Sequence, residues 1–378
     1  MLRIRHLLPV LGGVLVLGLA ACGEAASNVG LGLIEEGSEP VVREVTPTFF
    51  EETPLNDVTG AVPRVLAGTV NDPLVGTITT TGYIDFRGGF DTTNASPLTS
   101  VSLRLARDYI YGDTLAMVTL NLFDISEDWE SLGRKADTTL TVGGLVTTFS
   151  FAPTDTLVTV PLPDIWIADN LTTLRSADFD TLFHGFALEA VTTEAVVGFD
   201  FDDSNLRLLT ETDTTDYDLT RTITGIERET QPPLPEGFVL LQDGTGPGVR
   251  FNFDLDDFKE TPLNGVVLRF FADTVAVQTA PPNFVRPPLE TIQLVQVIDP
   301  DPTVPAIFIA EVTLSDNGDY RFSGANLGNF FQETFFGVET FEYLELRTPV
   351  LDNTINFMLL HDAASGEKAP EALFTISP

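Results

Sequence analysis

Histidine, tryptophan and cysteine are nearly missing from this chain of 378 residues, which holds three, two and one of them. His6, His184 and His361 are far apart and have no Cys partner, so a zinc site is not expected. A single Cys leaves no disulfide framework, and any domain must stand on its hydrophobic core. Neither Gly-x-Ser-x-Gly nor Gly-x-x-x-x-Gly-Lys-Ser/Thr occurs, which removes the commonest hydrolase and nucleotide signatures. Base is scarce too: 20 Lys and Arg face 55 Asp and Glu, a formal net charge of −35. Phosphates would repel such a chain, so nucleic acid is excluded as a partner, and an anionic bilayer surface gives no electrostatic hold. A glycosidase needs two carboxylates at a set separation, and 55 acids single out no pair. No enzyme activity is expected. Beyond the first 21 residues, no stretch sustains an apolar pattern at helical spacing.

The longest apolar run is Leu7 to Leu19, broken by Pro9, Gly12 and Gly13. It is short for a membrane span, which needs about 20 residues. Behind Arg3 and Arg5 it reads as the apolar region of a cleavable signal peptide, residues 1–21. Leu19-Ala-Ala-Cys22, followed by Gly23, is similar to a bacterial lipobox. That likeness implies cleavage before Cys22, acylation of its thiol (palmitate among the chains) and near-permanent anchoring. Gly23 in place of Asp carries no inner-membrane retention signal. The expected address is therefore the outer membrane, on its periplasmic or its outer face. Residues 22–42 read as a lipidated, flexible tether rich in Gly, Ala, Ser and Glu.

From residue 43 onward the text changes to short runs rich in β-branched and aromatic residues, separated by Gly, Pro, Asn and Asp. Val101-Ser-Leu-Arg-Leu and Val118-Thr-Leu-Asn-Leu-Phe alternate apolar and polar residues with period 2, one face dry and one wet. A content of 43% hydrophobic residues with 28 Phe is too rich for a disordered chain. The chain also repeats itself. Pro97 to Asp108 aligns without gaps to Pro262 to Asp273, keeping Pro, Leu, Val, Leu, Arg and Asp in place. Gly82 to Arg87 is matched with Gly248 to Phe253, Phe183 to Leu188 with Phe341 to Leu346, and Val197 to Phe199 with Ile355 to Phe357. Four blocks in one order predict two tandem antiparallel β-sandwich domains, jelly-roll-like, over 43–221 and 237–378. Residues 222–236, with Pro232-Pro-Leu-Pro235, read as a stiff linker.

Those blocks also carry a resemblance. Leu66-Ala-Gly-Thr-Val-Asn-Asp72-Pro-Leu-Val-Gly76, then Tyr111-Gly-Asp113, then Leu241-Gln-Asp-Gly-Thr-Gly246 leading into Asn264-Gly-Val-Val-Leu-Arg-Phe resembles a family of uncharacterised Bacteroidetes surface lipoproteins. The family has no agreed activity, so the resemblance implies location and fold. The first half is also similar to the β-sandwich modules of bacterial adhesive proteins, an architecture that carbohydrate-binding modules share.

Glycan binding needs an aromatic platform beside polar groups. Trp129, set in Ser126-Glu-Asp-Trp-Glu-Ser131, and the pair Tyr109 and Tyr111 are the candidates; Trp166 could face either side of its strand. Acid clusters at Asp200, Asp202 and Asp203, and at Asp254, Asp256 and Asp257, offer the oxygens a structural Ca²⁺ would take. No other cofactor is implied. Phe330-Phe331 and Phe335-Phe336 read as core and interface, and an exposed patch there would mark a partner site. Repeated Asp-Thr pairs, as at Asp113 and Asp137, look like envelope O-glycosylation acceptors. Two functions stay open: a membrane-anchored module that binds extracellular or envelope glycan, or a structural or assembly partner in an outer-membrane protein complex.

Overall fold

The computed structural model describes residues 39–377 except 56–57, 90–95, 230, 302–303 and 350–352. Cys22, the signal peptide and the tether to residue 38 lie outside the described residues. The fold is all-β, and every ladder between its strands is antiparallel. Two strands come first, β1 (Val41–Val45) and β2 (Pro47–Pro54). The first copy of the repeat follows as β3 (Arg64–Asp72), β4 (Gly76–Arg87), β5 (Leu98–Asp113), β6 (Val118–Ile125), β7 (Val142–Phe151) and β8 (Leu157–Pro161). It continues through helices α1 (Asp164–Leu174) and α2 (Phe179–Leu182) to β9 (Phe186–Thr192), β10 (Ala195–Asp200), β11 (Asn205–Thr210) and β12 (Thr214–Arg228). The second copy runs β13 (Phe238–Gln242), β14 (Pro247–Phe253), β15 (Leu263–Phe271), α3 (Thr274–Gln278), β16 (Phe284–Val285), β17 (Thr291–Val297), β18 (Ile307–Thr313) and β19 (Asp319–Ser323). Helix α4 (Ala325–Phe335), β20 (Tyr343–Arg347), β21 (Phe357–His361) and β22 (Glu371–Ile376) complete it.

Strand registers make the repeat physical. Aligning Pro97 with Pro262 sets Leu103 against Leu268. Leu103 pairs with Val160 of β8 and Leu206 of β11, and Leu268 pairs with Phe322 of β19 and Ala372 of β22. The order β4-β9-β6-β7 recurs as β14-β20-β17-β18. In both copies a helix of 11 residues leads into the second of these strands. One block is displaced by a residue from the sequence match: Ile84 pairs with Phe186 as Phe251 pairs with Leu344. A one-residue slip exchanges the two faces of a strand, and the ladder chooses the register that buries Ile84 and Phe86 like Phe251 and Phe253.

The copies differ in which end of the chain closes them. In the first, β12 pairs with β11 through Tyr217 and Leu206, then crosses to β4 through Leu219 and Phe86. In the second, β1 pairs with β22 through Val45 and Ala372, and β2 with β14 through Pro47 and Phe253. Residues 41–54 are thus to the second copy what residues 214–228 are to the first. This redraws the expected organisation: residues 43–54 pair with the second copy, and residues 222–228 are strand.

Helices α1 and α4 also depart from the sequence reading. Leu327, Phe330, Phe331 and Phe335 recur at helical spacing and bury one stripe of α4, a pattern the two Phe pairs read as core and interface obscure. Trp166 sits on α1, turned inward, with its Nε1 donating to Asp124 at 3.0 Å.

Candidate functional site

The expected aromatic platforms are corrected by burial. Trp129 is only 3% exposed. Its indole lies with Tyr83, Ile125, Ala187 and Ile223 in a small core between the 126–142 segment and the sheet, and its Nε1 donates to the His184 carbonyl at 2.8 Å. The polar neighbours that suggested exposure point the other way. Glu130 and Asp128 turn outward, and Arg221, which ion-pairs with Asp128 at 3.2 Å, also donates to the Trp129 carbonyl at 2.7 Å. Tyr109 and Tyr111 are buried as well, but not on the face of Val101, Leu103 and Leu105: the register shift where Arg107 faces Phe199 breaks the alternation, leaves Ile110 on that first core and turns both rings into the cluster that holds Leu66, Val196 and Phe251.

Tyr111 has a different role. Its hydroxyl donates to Asp72 Oδ2 at 2.6 Å, and Arg286 grips the same carboxylate with Nε at 2.6 Å and Nη2 at 2.9 Å. Asp72 and Arg286 are fully desolvated. Remaining donors of Arg286 reach the carbonyl oxygens of Ala276 and Thr279, so the guanidinium is well satisfied. The Asp72 and Tyr111-Gly-Asp113 elements of the first copy therefore meet, and what joins them is an arginine of the second. Beside it, β16 adds to β5 through Val285 and Gly112. Gly112 has φ +121°, and a Cβ there would lie 2.4 Å from the Glu194 carbonyl oxygen. The position therefore takes only Gly.

The acid clusters do not converge. Asp200 Oδ1 accepts the backbone N–H groups of Asp202 and Asp203, a local turn with the latter two carboxylates in water. Asp254 likewise accepts from the Asp256 N–H, Asp256 pairs with Lys259 at 2.9 Å, and Asp257 is exposed. Among the described residues no group of three or more His, Cys, Asp or Glu is placed to hold a metal ion. Both expected Ca²⁺ sites are corrected on that geometry.

Three buried carboxyls bind their protons more tightly than usual. Burial pushes Asp85 up to about 7, against the pull of the Phe86 N–H and Arg221. Burial also raises Asp124 and Asp243, opposed by hydrogen bonds from Trp166 and from Thr354, Gly244 and Thr348. Each is held by a structural partner.

One cleft, of about 340 Å³, lies where β14 ends and α4 turns into β20. Its floor is Phe253, Phe335 and Phe341, and its walls carry Asp254, Asp256, Lys259 and Glu339. Ring contacts support the floor, Phe258 stacked against Phe335 at 5.2 Å and Phe330 tilted against Phe341 at 5.5 Å. The wall continues across the sheet end, because Gln296 Nε2 donates to Glu339 Oε2 at 3.2 Å and to the Thr340 carbonyl at 3.0 Å. Gln296 pairs with Ile307, and Val295 with Phe308. Around this end Ile298, Ile307, Phe308, Phe336 and Val338 face solvent, Phe308 at 55% and Val338 at 72% exposure. Of the two Phe pairs, Phe330, Phe331 and Phe335 are core and Phe336 is the exposed one. The rest of the cleft was hidden from sequence reading because its walls come from segments about 80 residues apart.

No protein-family description matches the chain, and no curated protein does. Among solved structures, a Parabacteroides distasonis protein provisionally described as secreted aligns over 88% of this chain and 98% of its own, at 12% identity and a TM-score of 0.23. A structure of infectious bursal disease virus aligns over 95% and 80%, at 9% identity and a TM-score of 0.11. At such scores neither likeness carries an argument about this chain. Among the described residues no helix is long and apolar enough to cross a membrane.

Proposed function

We propose that this chain is a non-catalytic envelope lipoprotein, held at the outer membrane through Cys22, that docks a partner protein at the cleft end of its second copy. The observation that carries the docking reading is the exposed group Ile298, Ile307, Phe336 and Val338 beside an aromatic-floored cleft, Phe336 and Val338 alternating with its lining residues Phe335, Gly337 and Glu339 and Ile307 pairing with Gln296, which bonds Glu339. Large apolar side chains gathered on a soluble surface mark interaction sites, whereas scattered ones are ordinary. Anchoring rests on the leader and on Leu19-Ala-Ala-Cys22. The non-catalytic reading rests on the buried carboxyls, each engaged by Arg221, Trp166 or Thr354 instead of facing a cleft. Between the two functions left open by the sequence, burial of Trp129, Tyr109 and Tyr111 takes away the glycan platform and favours the assembly partner.

A photo-crosslinking residue at Val338 or Ile307, placed in the chain in its native envelope, tests this. Adducts from both positions are expected, with none from Leu132, which is just as exposed but lies on the first copy. Equal yields from all three, or none from any, would sink the docking reading.

A further inference from the structure

The chemistry of the cleft end narrows its partner. Lys259 is the only cation lining the cleft, and it is spent on Asp256 at 2.9 Å. Asp254 feels Lys259 without a close ion pair to it, and Glu339 has no ion pair among the described residues. The floor between them is apolar, and beyond Glu339 the Gln296 hydrogen bond leads to Ile307, its partner on β18, whereas Phe308 pairs with Val295 and faces the other side of the sheet. A segment seated in the cleft therefore meets carboxylates first and exposed apolar side chains next. A second copy would bring the same carboxylates against themselves, on a chain whose net charge is −35. Anionic lipid is repelled for the same reason.

We infer that the cleft end takes a cationic, apolar polypeptide segment of another protein, its basic side chains between Asp254 and Glu339 and its apolar ones on Ile307 and Val338. This rests on the docking reading and adds the partner's chemistry to it. Complementary charge sets orientation and selects against acidic partners, while the apolar contacts supply the desolvated centre.

The test uses the full chain from Cys22 in detergent and a fluorescent peptide of alternating Lys and Phe, with alternating Glu and Phe as its counterpart. The Lys peptide binds and the Glu peptide does not. Asp254→Asn with Glu339→Gln weakens binding about tenfold, the loss of roughly two charge contacts at an interface rim. Ile307→Ser weakens it comparably. Asp202→Asn with Asp203→Asn removes the same charge from the first copy and leaves the Kd unchanged. Equal weakening by both charge-removing pairs would reduce the effect to the general field of an acidic protein and overturn the proposal. So would indifference to Ile307→Ser, or a concentration-dependent dimer that Ile307→Ser abolishes, which would make a second copy the occupant. Crosslinks at Val338 that persist while the Lys peptide fails would overturn the chemistry and keep the docking; loss of both overturns both.

Discussion

Asp85 shows how far one side chain's setting can depart from its exposed neighbours. It lies on β4 under Arg221, which approaches at 3.6 Å, and desolvation outweighs that ion pair and lifts its proton affinity to about 7. In the unfolded chain an aspartate titrates near 4. The folded state therefore holds this proton more tightly, and the associated stability is fully present below about pH 4 and lost as pH rises through about 7. Asp85→Asn cannot lose a proton, so its advantage over the parent grows from near zero at pH 4 to a few kcal/mol at pH 8, taking roughly 1.4 kcal/mol for each pH unit between the two values. Urea unfolding at pH 4, 6 and 8 reads this difference directly. The difference cancels the pH dependence that both proteins draw from their other carboxylates, and a difference that stays flat with pH would refute the assignment.

Among the elements, β1 and β2 hold the least obvious position. β2 supplies Phe50 to a ring cluster with Phe251 and Phe270 at 6.0 and 5.9 Å, and β14 has no neighbour on that side but β2. A chain beginning at residue 55 would leave β14 and β22 as open edges above an exposed aromatic core, the arrangement that invites aggregation. Such a truncated chain is expected to aggregate or lose its cooperative transition, and a synthetic peptide of residues 39–55 added in trans is expected to restore it. A truncated chain as stable as its parent would show that β1 and β2 are ornamental. Sequence alternation does not mark β2, whose buried Pro47 and Phe50 are three residues apart across a register shift against β14. Nor does it reveal the partners of β1 and β2, because strand pairing is decided by tertiary packing and the nearest repeat block in the chain belongs to the other copy. Trp129 misleads for a related reason: a polar loop can fold one indole inward while every neighbour stays wet. The alternation of Val101, Leu103 and Leu105 was legible along β5, but the register shift at Arg107 that turns Tyr109 and Tyr111 into the other core was not; the repeat that becomes two matching strand orders was. The cleft was legible only at Phe335-Phe336, since its other walls are distant in sequence.

At the scale of the whole molecule, the two copies are tied together more tightly than tandem domains on a linker. The largest buried cluster takes Leu66, Val70, Ile78, Tyr111 and Val196 from the first copy and Phe251, Phe270, Phe322 and Leu359 from the second. The chain crosses between them twice, from β2 to β3 and from β12 to β13, and Arg286 reaches back to Asp72. A buried ion pair held by so many hydrogen bonds adds little net stability over an apolar pair, yet removing one member strands a desolvated charge at about 3–5 kcal/mol. Tryptophan makes the coupling measurable. Trp129 and Trp166 both sit in the first copy, so indole fluorescence reports that copy alone, while far-ultraviolet circular dichroism reports both. If the shared core makes one cooperative unit, the two signals follow the same urea curve. Arg286→Ala, a change in the second copy, then moves the fluorescence midpoint of the first copy and the dichroism midpoint together to lower urea. A dichroism curve that splits while fluorescence stays at its parental midpoint would instead describe two independent domains, with Arg286 serving only its own side.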